Sequence, residues 1–189
     1  NWYKLLKDGR SDFFDSIKEN YFEVYKLFKD AELDDQSIET FSWWAYLETM
    51  AHNDNWEKRK IGIKGEYKSY VYEMVILEKL KISNKELAPA SIDNPDAGYD
   101  LKSCRKNNNE ELYNIYIESK YNSRGNKNFY LSRNEFNKCI DESGKYFVYL
   151  WNNEDQEEPY IYNDEDILAN TPKDQGGSTW KTTFIKFDD

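Results

Sequence analysis

Apolar positions in residues 11–30 (SDFFDSIKENYFEVYKLFKD) recur at spacings of three and four: Phe14, Ile17, Tyr21, Val24 and Phe28. That period lines them along one face of a helix, and Ser11 or Asp12 stands where a capping side chain would begin it. A second helix is expected over 36–51, with Ile38, Phe41, Trp44, Ala45 and Leu47 on its apolar side. The polar stretch HNDNWEKRK then marks a boundary. Residues 1–58 therefore read as a helical N-terminal region and 59–189 as the domain that follows. GEYKSYVYEMVILEKLK (65–81) restores the helical period, with Tyr67, Tyr70, Val71, Met74, Leu77 and Leu80 as its stripe.

Beyond a loop containing Pro89 and Pro95 the period changes from helical to alternating. YDLKSC (99–104) and ELYNIYIESK (111–120) read as strands, separated by the turn-rich RKNNNE. NFYL (128–131) is a short extended piece. SRNEFNKCIDES (132–143) reads as a helix opened by a capping box, with Ser132 at the cap and Glu135 three residues on. KYFVYLW (145–151) has strand length, and a strand–helix–strand path predicts a parallel pair joined by a crossover. PYIYN and TWKTTFIKF supply two more strands. The fold class expected is α/β: a mixed central sheet flanked by helices, plus the helical N-terminal region.

The two alternating strands also carry candidate chemistry. With 107–110 as the loop of a hairpin, Asp100 comes to lie opposite Ile117 or Glu118. Glu118 and Lys120 project to one face and Ile117 and Ser119 to the other. Whether Asp100 shares the face of Glu118 depends on a one-residue register that the sequence leaves open; a small bulge would bring it there. If the face is shared, two carboxylates and one ammonium converge. Mg²⁺ takes one or two protein carboxylates and keeps waters and substrate phosphate as its other ligands. Such a metal activates bound water and polarises a phosphoryl oxygen. The lysine would position or help deprotonate the attacking water, or neutralise the pentacovalent phosphate. An E-x-K on a strand is also what any solvated sheet face looks like, so spacing by itself does not decide.

Composition adjusts this picture in three places. The chain has 16 Tyr, 10 Phe and 6 Trp; the plain reading is a core of large rings, although bases also stack on such rings. A net charge of −10 argues against a protein that coats nucleic acid, because affinity there comes from neutralising phosphates. It leaves room for a metal-dependent enzyme. Two cysteines, Cys104 and Cys139, make neither a disulfide framework nor a zinc spacing, and reduced, half-buried thiols are expected. A single histidine, His52, removes His-pair nuclease chemistry and is expected exposed near a helix end. NWYKLLKDGR does not resemble a secretory signal, and no apolar run approaches membrane-spanning length. A cytoplasmic protein without a membrane partner is expected, and the missing initial Met suggests an upstream segment.

Five pieces occur in order: GEYKSYVYE (65–73), PDAGYDL (95–101), YIESKY (116–121), NFYLSRNEF (128–136) and YFVYLW (146–151). Together they resemble the NOV C-terminal-like family, a branch of the PD-(D/E)XK superfamily with a restriction-endonuclease-like core, over about residues 60–151. The family pattern has a Gly-Glu opening a helix, a Gly-Tyr-Asp strand, an Ile-Glu-x-Lys strand and an Arg-Asn-Glu piece. The resemblance implies that Asp100 and Glu118 are metal ligands for Mg²⁺ or Mn²⁺ and that Lys120 is the catalytic lysine. Glu66 matches the Gly-Glu position, and Glu73, one heptad later, competes with it for a place at the site. Asn134 and Glu135 match the Arg-Asn-Glu piece, though capping suffices to explain Glu135. Arg133 contacts phosphate or is simply exposed. In the loop NSRGNKN, Arg124 and Lys127 are candidates for a phosphate clamp. Ser119 departs from the aliphatic residue more usual in the family.

The leading expectation is a Mg²⁺-dependent endonuclease acting on DNA within a restriction or other defence system, with an ATPase or other defence-system protein as a further partner. The competing expectation, motivated by the negative charge, is an inactive nuclease-fold module that binds nucleic acid or protein. Trp43 and Trp44 cannot both be buried by one narrow helical stripe, so residues 1–58 are also a candidate recognition or homodimer element.

Overall fold

The structure, a computed structural model, describes residues 6, 9–35, 37–52, 56–174 and 179–187, with only the backbone of 51, 52, 56–58 and 95. The side chain of His52 thus lies outside the described residues. The N-terminal helices are α1 (Arg10–Asn20), α2 (Phe22–Asp30) and α3 (Ile38–His52), followed by the long α4 (Trp56–Lys79). After them come β1 (Ala88–Pro89), the short α5 (Ala90–Asp93), β2 (Leu101–Lys106), β3 (Leu112–Tyr121) and β4 (Phe129–Ser132). The chain continues through α6 (Arg133–Asp141), β5 (Tyr146–Trp151), β6 (Tyr160–Asn163), α7 (Asp164–Asn170) and β7 (Thr182–Ile185).

The expected single helix over 11–30 is two helices, broken at Tyr21 (φ −144°, ψ 56°). The break folds α2 back on α1, so that Phe28 reaches Phe13 at 5.2 Å and Phe14 at 6.1 Å, with Trp44 completing the cluster. Tertiary ring packing outweighs the continuous helical period, and Tyr21 and Phe22 are left exposed at the corner. Neither Ser11 nor Asp12 is the cap. Gly9, at a φ of 95°, occupies that position, and Asp12 lies in the first turn, where its charge favours the helix dipole. Of the paired tryptophans, Trp44 is buried and Trp43 half-buried against it, with rings 5.0 Å apart.

α4 begins at Trp56, well before Gly65, because EKRK are good helix formers. The boundary expected at residue 58 therefore falls inside a helix. The N-terminal core of Phe13, Ile17, Phe41 and Trp44 also takes in Ile63 of α4 and Ile92 of α5. The stripe expected on α4 is corrected as well: Val71 and Leu80 are exposed. The buried line runs Ile63, Glu66, Tyr70, Glu73, Leu77, spaced by three and four like any helical stripe but with two glutamates in it.

Five strands form one mixed sheet in the order β1-β2-β3-β5-β6, in which only the β3–β5 pairing is parallel. The crossover between those two strands carries α6, as the strand–helix–strand path predicts. α4 covers one face through Leu101, Ile115, Ile117 and Tyr149. The other face, through Tyr146, Val148 and Leu150, packs on α6, α7 and a two-stranded sheet of β4 and β7. Cys104 and Cys139 are free and buried rather than half-buried, and burial pushes the Cys139 thiol up to about 12. Among the described residues no helix is long and apolar enough to cross a membrane.

Candidate active site

The open register is resolved by the β2–β3 ladder, which pairs Leu101 with Ile117 and Lys106 with Leu112. Asp100 lies just before this ladder, near enough to Glu118 and Lys120 for their charges to act on one another. The Asp100 N–H donates to the Ile117 carbonyl at 2.9 Å. Asp100 Oδ2 accepts from the Ser119 N–H at 2.7 Å, which pins the carboxylate to the neighbouring strand. The approach to Asp100 needs Gly98, at a φ of +76°. A Cβ there would stand 3.0 Å from Lys138 Cβ and 3.1 Å from the Asn134 carbonyl. Asn134 Nδ2 donates to the Asp96 carbonyl at 3.1 Å, and the Tyr146 hydroxyl donates to the Gly98 carbonyl at 3.1 Å. Asn134 thus serves to dock this loop on α6.

Lys120 Nζ donates to Glu118 Oε1 at 2.6 Å and to Glu135 Oε2 at 3.0 Å. Glu135 Oε2 also accepts from the Ser132 N–H at 2.9 Å, closing the capping box of α6. Capping and holding the lysine are one arrangement here, not alternatives.

Glu66 arrives from α4 because Gly65 lets that helix touch the end of β3. A Cβ at Gly65 would stand 3.1 Å from Tyr121 Cβ and 3.4 Å from the Lys120 backbone. Arg59 grips both oxygens of Glu66 and stands 3.8 Å from Glu48. Ser91 ties the groups together: its hydroxyl donates to Glu66 Oε2 at 2.7 Å and its N–H to the Asp100 carbonyl at 3.0 Å. Arg59 escaped the reading of the sequence because it lies in the stretch taken as a boundary. Its signal is the seven-residue spacing to Glu66, two helical turns on one face. Glu73, the competing candidate, is elsewhere. Arg105 holds it with two bonds of 2.7 and 2.8 Å, and the Tyr149 hydroxyl donates to it at 2.8 Å.

Electrostatics separate these groups. Burial, and next the charge of Glu66, push Asp100 up to about 8 against the opposing pull of Lys120, the Ser119 N–H and Arg59. Burial, then Asp100 and Glu135, hold Glu118 well above the usual carboxylate range. Burial alone would lower Lys120, but Glu118 and Glu135 outweigh it and keep it a firm ammonium. Glu135 is likewise opposed by burial, yet Lys120 and the Ser132 N–H bring it below its ordinary value. Among the described residues Glu66, Asp100, Glu118 and Glu135 gather around two cations, Arg59 and Lys120, with Glu48 also beside Arg59. Among the described residues no three His, Cys, Asp or Glu side chains are grouped so as to hold a metal by themselves. The donor pair Asp100 and Glu118 is nonetheless the number of protein carboxylates Mg²⁺ usually takes. Burial is the first cause of their raised values and a neighbouring carboxyl group the second, and a divalent cation between them would offset the second.

The family model described as protein NO VEIN, C-terminal, matches residues 65–162, more than half of the 189-residue chain. The chain belongs to that family. No curated protein and no solved structure matches it. The NO VEIN C-terminal match starts at Gly65, where α4 meets β3, and ends at Tyr162 in β6. It includes Glu66, Asp100, Glu118, Lys120 and Glu135, whereas Arg59 lies outside it.

The three basic candidates part company. Arg124 lines a cleft of about 520 Å³ that also borders Lys120. Lys127 Nζ sits over the Tyr160 ring, 5.5 Å from its centroid. Arg133 turns to the C-terminal segment: its Nε donates to the Trp180 carbonyl at 3.0 Å, its guanidinium stacks 4.0 Å from the Trp180 ring, and it pairs with Asp174. Only Arg124 shares a surface with the lysine of the site.

Proposed function

We propose that this chain is a metal-dependent nuclease of the PD-(D/E)XK type, with a restriction-endonuclease-like core, that hydrolyses phosphodiester bonds in DNA within a restriction or other defence system. The observation that carries this reading is the convergence of Asp100, Glu118 and Lys120 at one end of the β2–β3 hairpin, with both carboxyl groups raised above their usual range. Asp100 and Glu118 would hold a Mg²⁺ or Mn²⁺ ion. When bound, such an ion supplies Lewis-acid polarisation of the phosphate and a more acidic water.

The protein's own part follows from its contacts. Lys120 is fixed as an ammonium between Glu118 and Glu135, so its task is to orient water and offset phosphorane charge rather than to abstract a proton. Glu135, anchored by its cap, keeps that ammonium in place. Glu66, steadied by Arg59 and Ser91, places a further negative charge near Asp100 and favours cation binding. The defence context rests on the family resemblance alone, as does an ATPase or other protein partner.

The second reading, an inactive module that binds nucleic acid or a protein, is favoured by one feature: Lys120 sits directly on Glu118, where it competes with a metal for that carboxylate. The test is incubation of purified protein with Mn²⁺ or Mg²⁺ and DNA or RNA. Cleavage that vanishes in Lys120→Ala and Asp100→Ala supports the enzyme. Intact substrates under every metal condition favour the module.

A further inference from the structure

β4 and β7 pack their inner residues Phe129, Leu131 and Ile185 into the core, each nearly inaccessible to solvent. Alternation then sends Tyr130 and Phe184 outward. These two are directly paired across the strands, with ring centroids 4.9 Å apart at 46°, and are 65% and 41% exposed. Two large rings side by side on an exposed sheet face are an unusual use of aromatic residues in a protein whose other rings are mostly packed.

Their position gives them a use. Tyr130 and Phe184 form one wall of the 520 Å³ cleft, and Lys120 borders the same cleft. Its lining includes Lys120 and Arg124 and amides of the 122–128 loop, but among the described residues no carboxylate. In a chain of net charge −10 with 36 acidic residues, that local exclusion of negative charge is complementary to a polyanion. Lys186 adds a cation 5.8 Å from the Phe184 centroid. The volume lies in the range that suits a ligand of nucleotide size.

We infer that the Tyr130–Phe184 pair is a stacking platform for an unpaired nucleic-acid strand, whose backbone runs along the cleft past Arg124 toward Lys120. An aromatic ring can stack only on a base whose face is free, so the platform selects single-stranded or locally unpaired substrate over continuous duplex. The platform deepens the nuclease reading, on which its link to cleavage rests. The binding claim itself concerns the cleft alone.

Fluorescence anisotropy of labelled oligothymidylate, oligouridylate and a mixed-sequence duplex, in EDTA with the full chain, tests it without any turnover. The expected result is tighter binding of the single strands than of the duplex, weakened roughly tenfold or more in Tyr130→Ile with Phe184→Ile and largely kept in Tyr130→Phe. Isoleucine preserves strand preference while removing the ring, and Arg124→Ser, on an exposed loop, provides a second arm that leaves the strands untouched and should weaken both single strands. Preference for duplex, or affinity unchanged in the double isoleucine variant, overturns the platform. Comparison of the deoxy and ribo strands tells which polymer fits better. Single-strand binding with no cleavage in Mn²⁺ would remove the nuclease reading and leave the platform standing. Duplex cleavage unaffected by the double variant would do the reverse.

Discussion

Two glutamates stand seven residues apart on the same face of α4, both buried, each gripped by an arginine. Around Glu73 the charges balance. Arg105 meets both of its oxygens, the Tyr149 hydroxyl adds a third bond, and the group sits above the apolar core of Leu77, Ile115 and Ile117. Around Glu66 they do not: Asp100, Glu118 and Glu135 are brought in, and among the described residues Lys120 and Arg59 are the cations that meet them. A satisfied buried pair of the first kind positions a helix on a sheet. An excess of carboxyl groups of the second kind costs stability unless a cation arrives, and such a cost is tolerated where it serves function. For the proposed nuclease, the unbalanced cluster around Asp100 and Glu118 is a stronger support than an E-x-K on a strand.

The largest expected effect lies in the unbalanced cluster. Lys120→Ala and Asp100→Ala should each lower metal-dependent cleavage by roughly 10²–10⁴-fold, measured as the initial rate on plasmid and on oligonucleotide DNA. Arg105→Met, in the balanced cluster, leaves Glu73 buried without its ion pair. It should cost about 3 kcal/mol in urea unfolding while leaving cleavage per folded molecule near wild type. A loss of activity at full stability would break the comparison. Asp100→Asn should act in the opposite sense on stability, raising that of metal-free protein by about 1 kcal/mol, because it removes a carboxyl group that, pushed up to about 8, must take up a proton or carry a buried charge beside Glu66 and Glu118, yet can still accept from the Ser119 N–H.

The smallest effect is a pH dependence. Asp164 accepts from the Ser143 hydroxyl at 2.6 Å and from the Gly144 N–H at 2.9 Å, and the Ser143 bond first, then the backbone donors, hold it below the usual carboxylate range. A folded value lower than the unfolded one means that the unfolded chain binds the proton first. Its contribution is therefore full above the unfolded value and fades as pH falls through the acid range below about 5. Asp164→Asn should flatten that part of the thermal-stability profile and leave the neutral part nearly unchanged.

Much of this was legible where the signal is local. The alternation in 99–104 and 111–120 gave the hairpin, Ser132 with Glu135 gave the cap, and the strand–helix–strand path gave the parallel β3–β5 pair. The register was not legible, since a slip of one residue conserves the pattern while moving Asp100 to the other face. The backbone bonds of Asp100 and Ser119 decide it. Nor could spacing separate Glu66 from Glu73, because their partners Ser91 and Tyr149 come from distant segments. An apolar stripe drawn through Val71 and Leu80 passes over both buried glutamates of α4. Arg59 was lost for a related reason: it sits among polar residues that read as a connection until the helix is seen to run through them. Glu135 caps α6 as its place in the sequence predicts, and its bond from Lys120 comes from a strand that the capping motif does not reveal.

The central claim is that Asp100 and Glu118 form a cation site whereas Glu73 does not, and titration calorimetry of the full chain with Mn²⁺ addresses it directly. Wild-type protein should bind one ion, with affinity reduced tenfold or more in Glu118→Gln, roughly the loss of one charged ligand interaction, and unchanged in Glu73→Gln. No heat in the wild type, or equal binding by Glu118→Gln, would contradict it.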